Sequence, residues 1–418
     1  MHARSAMAAR TLCRLTAAVL LSVVSRTALP AQTLAFTGAT VIDGTSRAPL
    51  TNATLLVRDG RVIAVDVAAR VAIPANATRV SLAGKVVIPG LINAHGHVNT
   101  PDDLATYAAY GITTVYSLGG ESPAVMQARR EQQTSTLKRA RVFVAGPVLT
   151  PNTVAEAQTM VANVAAQGVD IVKIRVDDNL GTAPKMPADV YRAVIREAHA
   201  RGLRVAVHFY YLDDAKALLD AGADFMAHSV RDQSVDAPFV AAMRAKGVCY
   251  SPTLMREVST FVFESTPAFA SDSLFLAHAN RQWLSTLLTP ARQAATRTNR
   301  SAQKYKAQLP VATRNLKTLA DAGVPIAMGT DTGPMGRFQG YFELLEMEMM
   351  VDAGLTPAQT LHSATKGAAE CMRIDREVGT LEAGKWADFV VLDASPLQRM
   401  ANLKRIHSVW IAGNQIGR

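Results

Sequence analysis

Pro89-Gly90-Leu91-Ile92-Asn93-Ala94-His95-Gly96-His97-Val98 is the stretch on which the reading of the whole chain turns. The apolar run from Val86 to Ile92 reads as one buried parallel strand that delivers two histidines, one residue apart, at its carboxyl end. Side chains at i and i+2 of a strand point to the same face. Two imidazoles so placed can hold one cation, with Gly96 leaving room for it. The alternative is a pair of histidines in ordinary polar contacts.

Downstream of this stretch, strand-like and helix-like segments alternate, the pattern of a parallel α/β architecture. The candidate strands are Val86–Ala94, Thr113–Leu118, Arg141–Ala145, Asp170–Val176, Arg204–His208, Asp224–Ala227, Val248–Pro252 and Pro325–Gly329. Helices between them are alanine-rich and close on Gly202, Gly222 and Gly247. Eight β/α units predict a (β/α)8 TIM barrel over residues 89–373. One connection stands apart: residues 256–314 are long, polar and helical in pattern, either a solvated insertion or a lid over the barrel mouth.

Both flanks are β-like. Ala53–Arg58 and Arg61–Val65 are joined by Asp59-Gly60, a favoured two-residue hairpin turn. So few strands cannot stand alone. The matching strands lie at the other end of the chain, in Gly379–Asp393 and Ser408–Gly413, so residues 32–88 and 374–418 are expected to build one discontinuous β-sandwich.

Residues 1–31 read as a secretory signal: Arg4, Arg10 and Arg14 around an apolar core, Leu15–Val24, with small residues before a cut near Ala31-Gln32. The expected location is therefore secreted or periplasmic, with no membrane span after cleavage. Cleavage removes four arginines and no acid, taking the formal charge from +10 to +6. No basic run with interleaved aromatics indicates nucleic acid. The predicted partners are a small-molecule or short-peptide substrate and, in a homo-oligomer, further copies of the chain. Cys249 and Cys371 sit in apolar surroundings and do not make a disulfide framework.

In a barrel, chemistry collects at strand carboxyl ends. Those ends carry His95 and His97, Lys173 on the fourth strand, His208, His228 and Asp331. Imidazole and carboxylate suit zinc and similar divalent ions. An ammonium among them would repel a metal, unless Lys173 has reacted with carbon dioxide to give an anionic carbamate able to bridge two ions. Burial near cations favours the free amine that this requires. Otherwise Lys173 would pair with Asp177 or Asp178. His199, His278, His362 and His407 fall on helices or the flanking sheet, with surface or core roles. The methionine-rich run Tyr341–Met350 is explained by a helix packed on the barrel.

The order His-x-His, strand-four Lys, His, His, Asp, framed by β segments from both ends, resembles the amidohydrolase superfamily, in its imidazolonepropionase-like and prolidase-like binuclear subgroup. Pro89–His95, Gly354-Leu355-Thr356-Pro357 with Ala364-Thr365, and Gly384–Asp388 carry the likeness. It implies a hydrolase acting on amide C–N bonds through a hydroxide bridging two divalent ions. His95 and His97 would hold the inner ion, His208 and His228 the outer, and the Lys173 carbamate would bridge. Asp331 would be both ligand and catalytic base. Tyr210 matches a substrate-contacting tyrosine, or is a packed aromatic. Arg231 would clamp a substrate carboxylate, or pair with Asp232 at the surface. Tyr116-Ser117-Leu118 replaces the Arg-Asp that many members carry before Gly119-Gly120. Two other readings use the same residues: a mononuclear cyclic-amide hydrolase with one metal on His95, His97, His208 and Asp331, or an inactive barrel serving as a binding protein.

Overall fold

The computed structural model describes residues 32–417; the proposed signal segment lies outside the described residues. Strands from both chain ends join in one eight-stranded sheet. Leu34–Val41, Leu50–Arg58 and Arg61–Val67 are antiparallel neighbours. Asp59 and Gly60 turn between the last two with φ of 54° and 75°, the doubly left-handed turn that matches strand twist. From the other end, Phe389–Leu392 pairs with Ile406–Ile411 on one side and Val86–Pro89 on the other.

That last pairing corrects the opening expectation. Val86–Ile92 is not one strand. Val86–Pro89 belongs to the outer sheet, while Leu91–Gly96 opens the inner parallel one. The chain changes sheets at Pro89-Gly90, where Gly90 N donates to Asp388 O at 2.8 Å. A Cβ on Gly90 would lie 1.9 Å from Thr113 Oγ1, so only glycine permits the crossing.

The inner strands form two parallel sheets. Leu91–Gly96, Ile112–Ser117 and Arg141–Val144 make one; Val172–Arg175, Val205–His208, Phe225–Met226 and Cys249–Tyr250 make the other. The eighth expected strand, Pro325–Gly329, is reduced to single contacts: Ile326 bridges Tyr250, and Ala94 N donates to Met328 O at 2.8 Å. Gly96–Thr332 and Leu149–Ile174 bridge in parallel as well. Helices Leu212–Ala221 and Ala237–Lys246 end on Gly222 and Gly247 in left-handed conformation. Residues 256–314 are helical, running from Leu254–Phe261 to Arg300–Asp321.

Two tertiary ties were not anticipated. Cys249, at the start of its strand, forms a disulfide with Cys371 across 122 residues, a single bridge where the sequence predicts no disulfide framework. The second tie joins an inner strand to the C-terminal segment. Arg141 and Asp388, both nearly fully buried, pair at 2.7 Å, and Arg141 stacks 4.2 Å from the Trp386 ring, whose other guanidinium neighbour is Arg61. Among the described residues no helix is long and apolar enough to cross a membrane.

Candidate metal centre

His95 and His97 leave their strand as the spacing requires, with ring centroids 5.8 Å apart. Nδ1 of His95 donates to Ala227 O at 2.6 Å, and Nδ1 of His97 to Gly119 O at 2.8 Å. A carbonyl only accepts, so each ring carries a proton on Nδ1 and turns its Nε2 inward. Both Nε2 atoms point at Asp331 Oδ1, at 3.4 and 2.8 Å. Burial, then the Lys173 charge, holds His95 well below its ordinary pKa, so this ring does not supply a proton. Two imidazole nitrogens and a carboxylate oxygen converging in this way are the donor set a divalent cation takes. The ligand atoms of His95, His97 and Asp331 all lie within 4.8 Å of one another.

Asp331 is delivered by a tight loop. Its own amide and that of Thr330 both donate to His95 O, at 2.6 and 3.0 Å, and its φ is 58°, an uncommon value for a residue with a side chain. Gly329 and Gly333 let the loop pass: a Cβ on either would come within 2.8 Å of His95 Cβ or 2.7 Å of His97 Cβ. Gly96 has a different role from the one expected. Its missing Cβ faces Tyr107 Oη at 2.7 Å, so it makes room for packing behind the strand and not for the cation.

Lys173, 2 % exposed, places Nζ 3.3 Å from His95 Nε2. Burial pulls its pKa down to about 7, against the attraction of Asp331 and helped by Arg231. The alternative pairing with Asp177 or Asp178 does not form. Asp177 takes Arg175 at 2.8 Å and His208 Nε2 at 3.3 Å, and Asp178 accepts from Tyr211. Burial lowers His208 to about 4. His228 lies between His208 and His95, its ring centroid 4.2 and 4.6 Å from theirs. Its Nδ1 meets Thr253 Oγ1 at 2.9 Å, while its buried Nε2 has no hydrogen-bond partner. Burial opposes ionisation of Asp331, but Arg337 and the two strand-end histidines outweigh it and hold the carboxylate well below its usual range.

All six predicted ligands line one cavity of about 370 Å³, shared with Leu118, Val148, Thr150, Arg175, Arg256 and Arg337. The two predicted substrate residues are absent from its lining. Arg231 is buried and pairs with Glu257 Oε1 at 2.5 Å, not with Asp232 at the surface; Asp232 accepts from Leu212 N. Tyr210 packs under Arg231, 5.0 Å from its guanidinium. Sequence reading missed Arg256, Arg337 and Glu343. Glu343 lies inside the methionine-rich helix and accepts from Asn93 Nδ2 and Thr330 Oγ1, both at 2.6 Å, and from Thr332, bracing the strand and the Asp331 loop together. An acid on an otherwise apolar helix face was the available signal.

Comparison with known proteins agrees with this geometry. The sequence model of the amidohydrolase family matches residues 86–416. The imidazolonepropionase of Mycolicibacterium smegmatis is 27 % identical over 367 residues, covering 82 % of this chain and 85 % of its own. A putative prolidase from Bifidobacterium longum superposes with a TM-score of 0.75 at 26 % identity, covering 93 % of this chain and 95 % of its own. A Xaa-Pro dipeptidase with methionine bound in its active site shares the fold at TM-score 0.75 and 19 % identity, covering 93 % and 100 %.

Proposed function

The chain belongs to the amidohydrolase family and is a hydrolase acting on carbon–nitrogen bonds, and from that premise we propose an exported enzyme that cleaves an amide bond in a dipeptide, C-terminal or N-acyl amino acid substrate. The observation that carries this reading is the set of nitrogen and oxygen donors converging on the cavity. His95, His97 and Asp331 would hold one divalent ion, and the orphaned Nε2 of His228, with His208, a second. Zinc suits these donors.

Lys173 completes the proposal. Its amine, drawn toward neutrality by burial, would add carbon dioxide with loss of a proton to give a carbamate, an anionic oxygen ligand for divalent ions held here. Divalent ions bound here would polarise the scissile carbonyl and acidify the attacking water. Asp331, ionised at rest, would accept the proton of that water and return it to the departing amine. Leu118 and Val148 give the acyl side of the substrate an apolar wall. We propose further that the two parallel sheets are arcs of one (β/α)8 barrel beside a two-layered outer β-sandwich. The bridges Gly96–Thr332, Leu149–Ile174 and Tyr250–Ile326 support the barrel, and the disulfide supports export to an oxidising compartment.

The test is metal analysis with a hydrolysis screen. Mature protein stripped with chelator and reloaded should regain hydrolysis of N-acyl amino acids or dipeptides with about two ions per chain, and His228→Ala should reduce that to about one. The compact His95, His97 and Asp331 trio favours a second reading, a mononuclear cyclic-amide hydrolase; one ion in the wild-type chain together with ring-opening activity would select it.

A further inference from the structure

Resting on the amide-hydrolase reading, we propose that Arg256 and Arg337 form the subsite that reads a free carboxylate on the substrate, and that the helical insertion exists in part to hold Arg256 there. Both guanidiniums line the metal-site cavity, where Arg231 does not. Asp331 divides its carboxylate between two neighbourhoods. Oδ1 faces the histidines, whereas Oδ2 meets Arg337 Nη1 at 2.5 Å and Arg256 Nε at 3.9 Å.

Counting charges identifies the missing partner. Arg231 and Arg256 share one carboxylate, Glu257, at 2.5 and 3.2 Å. Arg337 and Arg256 share the other, Asp331. Through direct ion pairs, three guanidiniums thus share two carboxylates, along a wall where Arg231, Arg256, Glu257 and Asp331 are all buried, so the arginines are not each matched by an anion of their own. Nearby Glu346, bonded to the amides of Leu254 and Met255, is pushed up to about 8 by burial and does not supply the missing anion at neutral pH. Buried charge without a counter-charge is costly, so an anionic group delivered by the substrate would be held strongly there.

Arg256 is also incompletely bonded. Its Nε is buried and has no hydrogen-bond partner, while Nη1 is held by Glu257 and Nη2 by Tyr305 Oη at 3.1 Å. The Tyr305 ring stacks 4.2 Å from the same guanidinium, and Tyr305 belongs to the long helix Arg300–Asp321 that closes the insertion. Tyr305 therefore helps fix the Arg256 guanidinium at the cavity wall. Arg175 serves as an internal control: it lines the cavity too, but is neutralised by Asp177 at 2.8 Å.

The test compares a carboxylic acid with its uncharged counterpart. N-methanesulfonyl-L-methionine and its carboxamide, neither of which carries the scissile N-acyl amide, are titrated calorimetrically into the metal-loaded protein. The acid should bind at least about tenfold more tightly in the wild type, and the ratio should fall toward one in Arg256→Gln and in Arg337→Gln while Arg175→Gln retains it. Arg256→Lys and Arg337→Lys, which keep the charge without the fork, should show intermediate ratios and serve if either glutamine variant fails to fold. A ratio near one in the wild type, or an undiminished ratio in folded Arg256 and Arg337 variants of normal metal content, overturns the subsite. If the acid preference follows the arginines but no amide is ever hydrolysed, the subsite stands and the amide-hydrolase reading fails.

Discussion

Replacing Cys249 and Cys371 together by alanine should cost this protein several kcal/mol while leaving its chemistry intact. The disulfide closes a loop of 122 residues, and the loop-closure entropy it removes from the unfolded chain is worth about 5 kcal/mol at 25 °C. For a chain of this size the unfolding entropy is about 0.8 kcal/mol/K, so that loss corresponds to a drop in melting temperature of about 6 °C. The bridge joins the start of the Cys249–Tyr250 strand, whereas Thr253, which contacts His228, follows the strand's other end. The wild-type and double-alanine proteins would be compared by calorimetry without reductant, with kcat and metal content measured in parallel. Both sulfurs belong to residues less than 9 % exposed, so adding reductant to the folded wild type should act slowly. A double variant that melts with the wild type would refute the entropic argument. One that melts normally but loses metal would show that the bridge acts on the site instead.

Further outcomes follow from other contacts. Glu343, pushed up to about 6 by burial, binds its proton more tightly folded than unfolded, so stability should fall as pH rises from 4.5 to 6, by about 2 kcal/mol in all. Urea midpoints of the metal-free protein at pH 4.5 and pH 7 should differ between wild type and Glu343→Gln by this contribution, on top of the slopes that Glu346 and the buried histidines give both proteins; an identical pH dependence in the two would exclude Glu343 as a contributor. Lys173→Ala should lower activity by more than about 100-fold, with partial recovery in added acetate or propionate, and full activity in that variant would count against the carbamate. Asp388→Asn leaves Arg141 buried without its counter-charge and should cost about 3–5 kcal/mol in chemical denaturation, whereas a loss below about 1 kcal/mol would mean that the Trp386 stack alone holds Arg141.

What the chain makes legible from its letters is the repetition. His95, His97, Lys173, His208, His228 and Asp331 each lie in or just after a segment that reads as a strand, so they can be picked out one by one and then found around one cavity. The Asp59-Gly60 hairpin and the glycine helix stops are equally local, set by backbone conformations that few other residues adopt. Pairings across distant segments are of another kind. Arg231 has Asp232 beside it in sequence but Glu257 beside it in space, because the helix after the Cys249–Tyr250 strand turns that carboxylate inward. Val86–Ile92 is apolar apart from the Pro89-Gly90 breaker, which marks an interruption but not the change of sheet that the close approach of Thr113 at Gly90 reveals. Cys249 with Cys371, Glu343 under the Asp331 loop, and Arg256 beside Tyr305 are likewise choices made by packing. Hydrophobic period and strand-end chemistry depend on neighbours a few residues away, whereas the partner of a buried charge or sulfur depends on which surfaces the finished fold brings together.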